Sequence, residues 1–267
     1  MLNFEILGGV QVHTPSGVHK VSGQSRRVLL QALLVSEEHT VGHGALIEEL
    51  WGEDVPNGVV NALQAHISRL RKWLRSIDDG SSGVQLLSYA HGYQLSLGKA
   101  RLDATDFGSA IARGVELAAD DPADAVRTLR AALRMWRGPV FGGDCGGLMC
   151  ECAATRFNEL RLQGLESLFD AELALRREGQ LLGELNQAHR ENPLRERFCG
   201  QLMIALYRSG RQAEALEVYH RTRRRLSDEL GIDPTPELRK LEECILQHAP
   251  QLRHVESELT LLSARLA

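Results

Sequence analysis

The segment NGVVNALQAHISRLRKWLR, residues Asn57–Arg75, carries the clearest periodic pattern in this chain. Apolar side chains recur there at steps of three and four residues, which is the spacing of one face of an α-helix. The members of this apolar face are Val60, Leu63, Ile67, Leu70 and Leu74. The pattern therefore predicts a helix that buries all of these side chains in a protein core.

The opposite face of the predicted helix carries small residues toward its N-terminal end and hydrogen-bond donors and cations further along. Such a face fits into a DNA groove and contacts bases and phosphates. The candidate contacts are Asn61, Gln64, Ser68, Arg69 and Lys72, with His66 and Arg71 at the margins. Two alternatives stay open: the helix is a solvated amphipathic helix whose arginines face water, or Arg71 pairs with an acid inside the domain.

The sequence on either side of this segment predicts the rest of a small domain. Alternating residues before it predict short antiparallel strands, and two amphipathic helices follow them. After it, two strand-like runs meet at Tyr89–Gly92 and predict a hairpin. The predicted strands are residues 3–7, 10–12, 18–21, 84–87 and 93–97. Sheet, three helices and a terminal hairpin describe a winged helix-turn-helix over residues 1–98.

Arg26 and Arg27 lie in the first turn of the first predicted helix, where the helix dipole disfavours cations. This placement suggests that the two arginines contact an outside anion such as a DNA phosphate. The alternative is that both are plain surface arginines.

From Ala100 onward the strand patterns stop, and helical periodicity separated by short breakers takes their place. The predicted helices are residues 103–117, 123–136, 155–177, 181–189, 195–209, 213–230 and 236–247. Between Leu202 and Tyr219, small residues stand where two antiparallel helices must touch, much as in a tetratricopeptide unit. The fold is therefore expected to be mainly α with a small β component, with an all-helical, tetratricopeptide-like domain at 99–250. An amphipathic helix over 251–267 would dock on this chain or on a second copy.

The chain has 267 residues and a net charge of −4, which argues against a protein that coats nucleic acid indiscriminately. DNA binding would have to come from the placement of cations, and several lie together between Arg69 and Arg75. No run of about 20 apolar residues could span a bilayer, and the N-terminus lacks the pattern of an export signal. We therefore expect a cytoplasmic protein with no membrane partner.

Three cysteines, Cys145, Cys150 and Cys152, form a local cluster that admits a metal or redox interpretation. Cys150 and Cys152 are too close for the usual zinc-knuckle spacing and no second pair exists, so buried, reduced thiols are the favoured alternative. The chain also lacks the HExxH, G-x-S-x-G and glycine-rich nucleotide motifs of common enzymes. We expect no metal, no cofactor and no enzymatic activity.

Several segments together resemble a known family. The block Leu46–Gly52, the run Leu63–Leu74 and the wing residues Gly92–Leu95 resemble the OmpR-type DNA-binding domain. Further segments are similar to the bacterial transcriptional activation domain, namely Ala132–Pro139, Asn192–Glu196, Leu206–Leu216 and Glu229–Leu238. In this order the two domains resemble the Streptomyces antibiotic regulatory protein family over about residues 2–250.

The resemblance implies a pathway-specific activator of a secondary-metabolite gene cluster that binds direct repeats near the promoter's −35 element. It also implies recruitment of RNA polymerase through its housekeeping sigma factor and alpha subunit, and direct repeats imply a homodimer lying head to tail on DNA. Larger relatives append an ATPase, whereas this chain has no GxxxxGK[ST] loop and resembles a small, stand-alone member. Many wings of this type have an arginine or proline at the tip, so His91 is the candidate phosphate contact here.

For activation, the acidic link between the second and third helices is the candidate polymerase contact, through Glu53 and Asp54. The alternative is an acidic loop that only keeps its distance from DNA. The competing function is a helical-repeat adaptor that acts through protein contacts without specific DNA binding.

Overall fold

A computed structural model describes residues 1–78, 80–249 and 252 of the chain, which folds into two compact units. Unit 1 contains residues Met1–Ala112 and Ala131–Leu162, and unit 2 contains Arg113–Arg130 and the residues from Gln163 onward. The helix predicted over 251–267 lies outside the described residues, except for Leu252. The units are defined by packing, and the domain limits 1–98, 99–250 and 251–267 stay a prediction.

The N-terminal sheet of unit 1 consists of β1 (Asn3–Glu5), β2 (Gln11–Thr14) and β3 (Gly17–Lys20), paired antiparallel as predicted. A further strand, β7 (Arg101–Leu102), pairs parallel with β1 at the edge of this sheet. The sequence predicted only helices after Ala100, and β7 was missed because two residues are too few to show an alternating pattern.

The three helices and the terminal hairpin of the winged helix-turn-helix follow in the predicted order, and a two-residue strand before the second helix was not predicted. Its elements are α1 (Gln24–Val35), β4 (Val41–Gly42), α2 (His43–Trp51), α3 (Val59–Ile77), β5 (Gln85–Tyr89) and β6 (Gly92–Ser96). The strands form a second antiparallel sheet in the order β4-β6-β5. A Cβ at Gly92 would lie 2.1 Å from the Val41 carbonyl oxygen, so only glycine allows β4 to approach the wing here.

The core of unit 1 forms around α1, which is buried continuously from Val28 to Leu34 and packs against both α2 and α3. On α3 the predicted apolar face is confirmed for Leu63, Ile67, Leu70 and Leu74. It is wrong for Val60, which is 53% exposed. Val60 lies in the first turn of α3, and the contact of this helix with the core begins only at Leu63.

The rest of the described chain is helical apart from β7 and a short 3-10 turn at Val140–Gly143. The helices are α4 (Asp103–Leu117), α5 (Pro122–Leu133), α6 (Leu148–Ala174), α7 (Glu178–Glu191), α8 (Glu196–Arg208), α9 (Gln212–Leu230) and α10 (Pro236–Leu246). In unit 2, α8 packs against α7 on one side and α9 on the other. Its residues Phe198–Tyr207 are all buried, so α8 is the inner helix of this stack. The predicted fold class is confirmed.

We found no helix in the described part of the chain that combines the length and the apolar character needed to cross a membrane.

Candidate nucleic-acid interface

The side of α3 that faces away from the core forms one continuous exposed surface. We call this surface the recognition face and define it as Asn61, Gln64, Ala65, Ser68, Arg69 and Lys72, all of which are exposed. At 1.5 Å per residue the face extends over about 17 Å along the helix axis. The major groove of B-DNA is about 12 Å wide and admits an α-helix, so the face can lie along the groove. Burial of the opposite side fixes the orientation of α3, so these side chains point outward together.

Arg71 lies at the margin of the recognition face and joins α3 to the wing. Its Nε and Nη2 donate to the carbonyl oxygen of Leu86 at 3.1 and 2.8 Å, and Nη2 also donates to Ser88 Oγ at 2.9 Å. The partners of Arg71 in the described structure are thus a backbone carbonyl and a hydroxyl of β5 rather than an acid. Arg71 positions the wing relative to the recognition face.

His66 is half-buried and lies edge-on to the Trp51 ring, with a centroid distance of 5.8 Å. Burial lowers the pKa of His66, and the positive charge of Arg69 lowers it further. The imidazole is therefore neutral at neutral pH. In the protein alone, His66 therefore presents a hydrogen-bonding group rather than a cation.

Arg26 and Arg27, the candidates on α1, both have partners within unit 1. The Arg26 guanidinium lies over the Trp73 ring at 5.8 Å from its centroid, and its Nη1 donates to Ser22 Oγ at 3.4 Å. Arg27 forms an ion pair with Asp144. An aromatic contact leaves the charge of Arg26 intact, whereas the carboxylate offsets that of Arg27, so Arg26 is the better placed to attract a phosphate.

The wing hairpin presents two side chains near its tip. His91 is exposed in the turn between β5 and β6, and its carbonyl oxygen accepts a hydrogen bond from the backbone of His43 at 3.0 Å. Tyr89, the last residue of β5, is 49% exposed. Tyr89 was not among the predicted contacts, although an aromatic residue beside a hairpin tip is a signal that could have identified it.

Glu53 and Asp54 are exposed in the link between α2 and α3, as the sequence suggested. The Gly52 N–H donates to the carbonyl oxygen of Glu48 at 2.8 Å, and the Asp54 N–H donates to the carbonyl oxygen of Trp51 at 2.9 Å. These bonds hold the link in a defined turn from which both carboxylates project.

The three clustered cysteines lie in different environments: Cys145 is half-buried, Cys150 is buried and Cys152 is exposed. Burial raises the pKa of Cys145 and Cys150, and the neighbouring carboxylate of Glu49 adds to the effect in both. Within residues 1–78, 80–249 and 252, no three His, Cys, Asp or Glu side chains are placed to hold a metal ion together.

Two family models match the chain. Residues 22–95 match the family described as "Transcriptional regulatory protein, C terminal", and residues 102–246 match the "Bacterial transcriptional activator domain". The first range contains α3 and the wing, and the second contains α4 to α10.

Similar proteins were found over almost the whole chain. The transcriptional regulator RedD of Streptomyces coelicolor is 38% identical over 254 residues, which cover 94% of this chain and 72% of RedD. The regulatory protein DnrI of Streptomyces peucetius is 31% identical over 244 residues, which cover 89% of this chain and 89% of DnrI. AfsR of Streptomyces coelicolor is 40% identical over 260 residues, but the chain spans only 25% of it.

Among solved structures, EmbR of Mycobacterium tuberculosis, determined in complex with a low-affinity phosphopeptide, superposes on this chain with a TM-score of 0.85. The sequence identity is 33%, and the match covers 98% of this chain and 68% of the EmbR chain.

Proposed function

Because this chain belongs to the Streptomyces antibiotic regulatory protein family of transcription regulators, we propose that it activates a secondary-metabolite gene cluster by binding promoter DNA sequence-specifically. The observation that carries the proposal is the recognition face, an exposed row of amides, a hydroxyl and cations on a helix whose orientation the core fixes. The relatives of this chain, RedD and DnrI, are named as regulators, which supports a role in transcription regulation.

In the proposed complex, α3 enters the major groove and the wing contacts the neighbouring backbone. Asn61 and Gln64 can each offer an amide to an adenine edge, while Arg69 can pair with a guanine or a phosphate. Lys72 lies one turn from Ser68 and supplies a phosphate contact. His91 and Tyr89 contact the sugar-phosphate backbone, and Arg71 keeps the wing at the required distance from α3.

We further propose that two protomers bind direct repeats near the −35 element, lying head to tail. A single winged helix-turn-helix is asymmetric, so repeats in the same orientation require copies in the same orientation. From this position the activator would recruit RNA polymerase, including its sigma factor and alpha subunit.

Footprinting on the promoters that adjoin the gene tests this function. We expect two protected segments in the same orientation, an increase in complex size when the second repeat is present, and an affinity that falls steeply with salt. A protein that binds no promoter fragment in a salt-dependent manner would instead support the helical-repeat adaptor.

Replacing Arg69 by alanine is expected to weaken operator binding by about 1–3 kcal/mol, the scale of one good bidentate contact. The change removes an exposed guanidinium from the recognition face without disturbing the buried side of α3. A gel-shift titration measures the effect, with Arg113→Ala as the control because Arg113 is an exposed helical arginine outside this face. Unchanged affinity would show that Arg69 does not contact the operator.

Reversing the charges of Glu53 and Asp54 to lysine is expected to abolish activated transcription in vitro while operator affinity stays within about threefold of wild type, a difference below 1 kcal/mol. Both side chains project from the turn before α3, where a polymerase subunit could offer cations. Run-off transcription and gel shifts on the same preparation separate the two activities. Joint loss of DNA binding and transcription would refute the assignment.

A further inference from the structure

A continuous groove runs along unit 2 between α7 and α9, with α8 beneath it. Two adjoining cavities form the groove, with volumes of about 650 and 380 Å³, and both are lined by Asn186 and Arg221. Leu202 and Leu206 of α8 line the smaller cavity. The groove therefore has a shared middle, one wider end, and one end that reaches aliphatic side chains.

One small residue on α7, Gly183, leaves space at the edge of the groove. Gly183 lines the smaller cavity, and a Cβ built at this position would meet no atom within 4 Å. A glycine in a helix interior costs about 1 kcal/mol relative to alanine, and no close neighbour requires it here. Gly179 lies one turn earlier on the same helix and is equally open, but it does not line the groove.

The middle and wide end of the groove are rich in arginine. Four arginines line the larger cavity, Arg190, Arg221, Arg224 and Arg225, and they outnumber its two carboxylates, Asp228 and Glu229. Arg221 and Arg224 share one carboxylate, that of Glu217, at 3.8 Å each, and Arg225 pairs with Glu229 at 2.9 Å. These pairs are half or more exposed to solvent, so they offset only part of the positive charge.

Two of these arginines, Arg221 and Arg225, act on a histidine in the groove wall. His189 lines the larger cavity, and its Nε2 lies 3.5 Å from the hydroxyl of the buried Thr222. Burial lowers the pKa of His189, and the positive charges of Arg221 and Arg225 lower it further. Arg221 and Arg225 therefore lie close enough to the groove wall to act on His189.

We propose that this groove binds an acidic peptide segment of a partner protein, with carboxylates on the arginines and an aliphatic side chain over Leu202 and Leu206. Carboxylates pair with guanidinium groups in bidentate geometry. A nucleic-acid backbone fits less well because it carries a charge at every nucleotide. An extended peptide can instead place its carboxylates beside the arginines and its uncharged residues beside the four carboxylates that also line the groove, Glu214, Glu217, Asp228 and Glu229. This site lies in unit 2 and is independent of the proposed DNA contacts.

A steric block tests the proposal without changing any charge. A fluorescently labelled peptide of repeated Glu-Glu-Leu is titrated with the full chain and followed by anisotropy. Gly183→Phe fills the groove and is expected to weaken binding by about tenfold or more, whereas Gly179→Phe makes the same change outside it and should have no effect. Equal binding by both variants, or no binding by the wild-type chain, would overturn the proposal.

Charge reversal provides a second, independent readout. Arg221→Glu is expected to reduce peptide affinity about tenfold, while Arg223→Glu, on the same helix but outside the groove, should leave it unchanged. Single-stranded DNA is the competitor. Displacement of the peptide at equal charge concentration would show that the groove binds nucleic acid instead, and would refute the peptide assignment.

Discussion

A chain in which Arg69 and Lys72 are both replaced by glutamate is expected to bind its operator about a hundredfold more weakly, or worse. One good contact is worth about 1–3 kcal/mol, and a hundredfold corresponds to about 2.7 kcal/mol. The double substitution removes two cations from the recognition face and places two anions against the phosphates. The slope of log affinity against log salt should also become shallower by at least about one, because Lys72 no longer neutralises a phosphate.

The matched control is Arg113→Glu with Arg127→Glu. Both control positions are exposed arginines on helices of unit 2, and the double change alters the net charge by the same amount. If the control weakens binding equally, the effect arises from the overall charge of the protein rather than from the recognition face. Fluorescence titration at several salt concentrations distinguishes these results.

Replacing Glu49 by alanine is expected to destabilise unit 1 by about 3 kcal/mol. Glu49 is only 4% exposed, and its carboxylate accepts hydrogen bonds from the backbone N–H groups of Gly147 and Met149 at 2.9 and 2.5 Å. These N–H groups belong to the first turn of α6 and the residue before it, where a helix has no internal acceptor. Hydrogen bonds to a charged group contribute about 1.5–3 kcal/mol each, and removal of the carboxylate leaves the donors unpaired.

Urea unfolding followed by tryptophan fluorescence reports on unit 1 selectively, because Trp51, Trp73 and Trp136 all belong to it. Glu48→Ala is the matched control, since Glu48 is the exposed neighbour on the same helix. We expect the control to lie within about 0.5 kcal/mol of wild type, as surface substitutions do. Equal stability of the two variants would show that Glu49 does not hold the start of α6.

The parts of the fold that depend on local periodicity could be predicted from the sequence. The repeat of apolar residues on α3 located both its buried side and the recognition face, and alternating residues with a glycine turn located the wing. Val60 was predicted wrongly because periodicity alone does not show where along a helix the core contact begins.

Interactions between distant positions could not be predicted in this way. Glu49 and Gly147 are 98 positions apart, and Arg27 is 117 positions from Asp144. The start of α6 is held by the Glu49 carboxylate of α2, and this contact leaves no pattern in the sequence near α6. The sequence therefore placed the start of α6 at Thr155 instead of Leu148. The same reason explains Arg71, whose partners on β5 are the carbonyl oxygen of Leu86 and the hydroxyl of Ser88, neither of which gives a charge pattern in the sequence.

The most direct test of DNA binding by the recognition face is photo-crosslinking from Ala65, which lies at its centre and is exposed. Benzoylphenylalanine is incorporated there, and at Val115 on α4 as the control, and each protein is irradiated on footprinted promoter DNA. We expect efficient crosslinks from position 65 to bases inside the protected repeats and none from position 115. A complex that forms with normal affinity but gives no crosslink from position 65 would show that another surface binds the DNA.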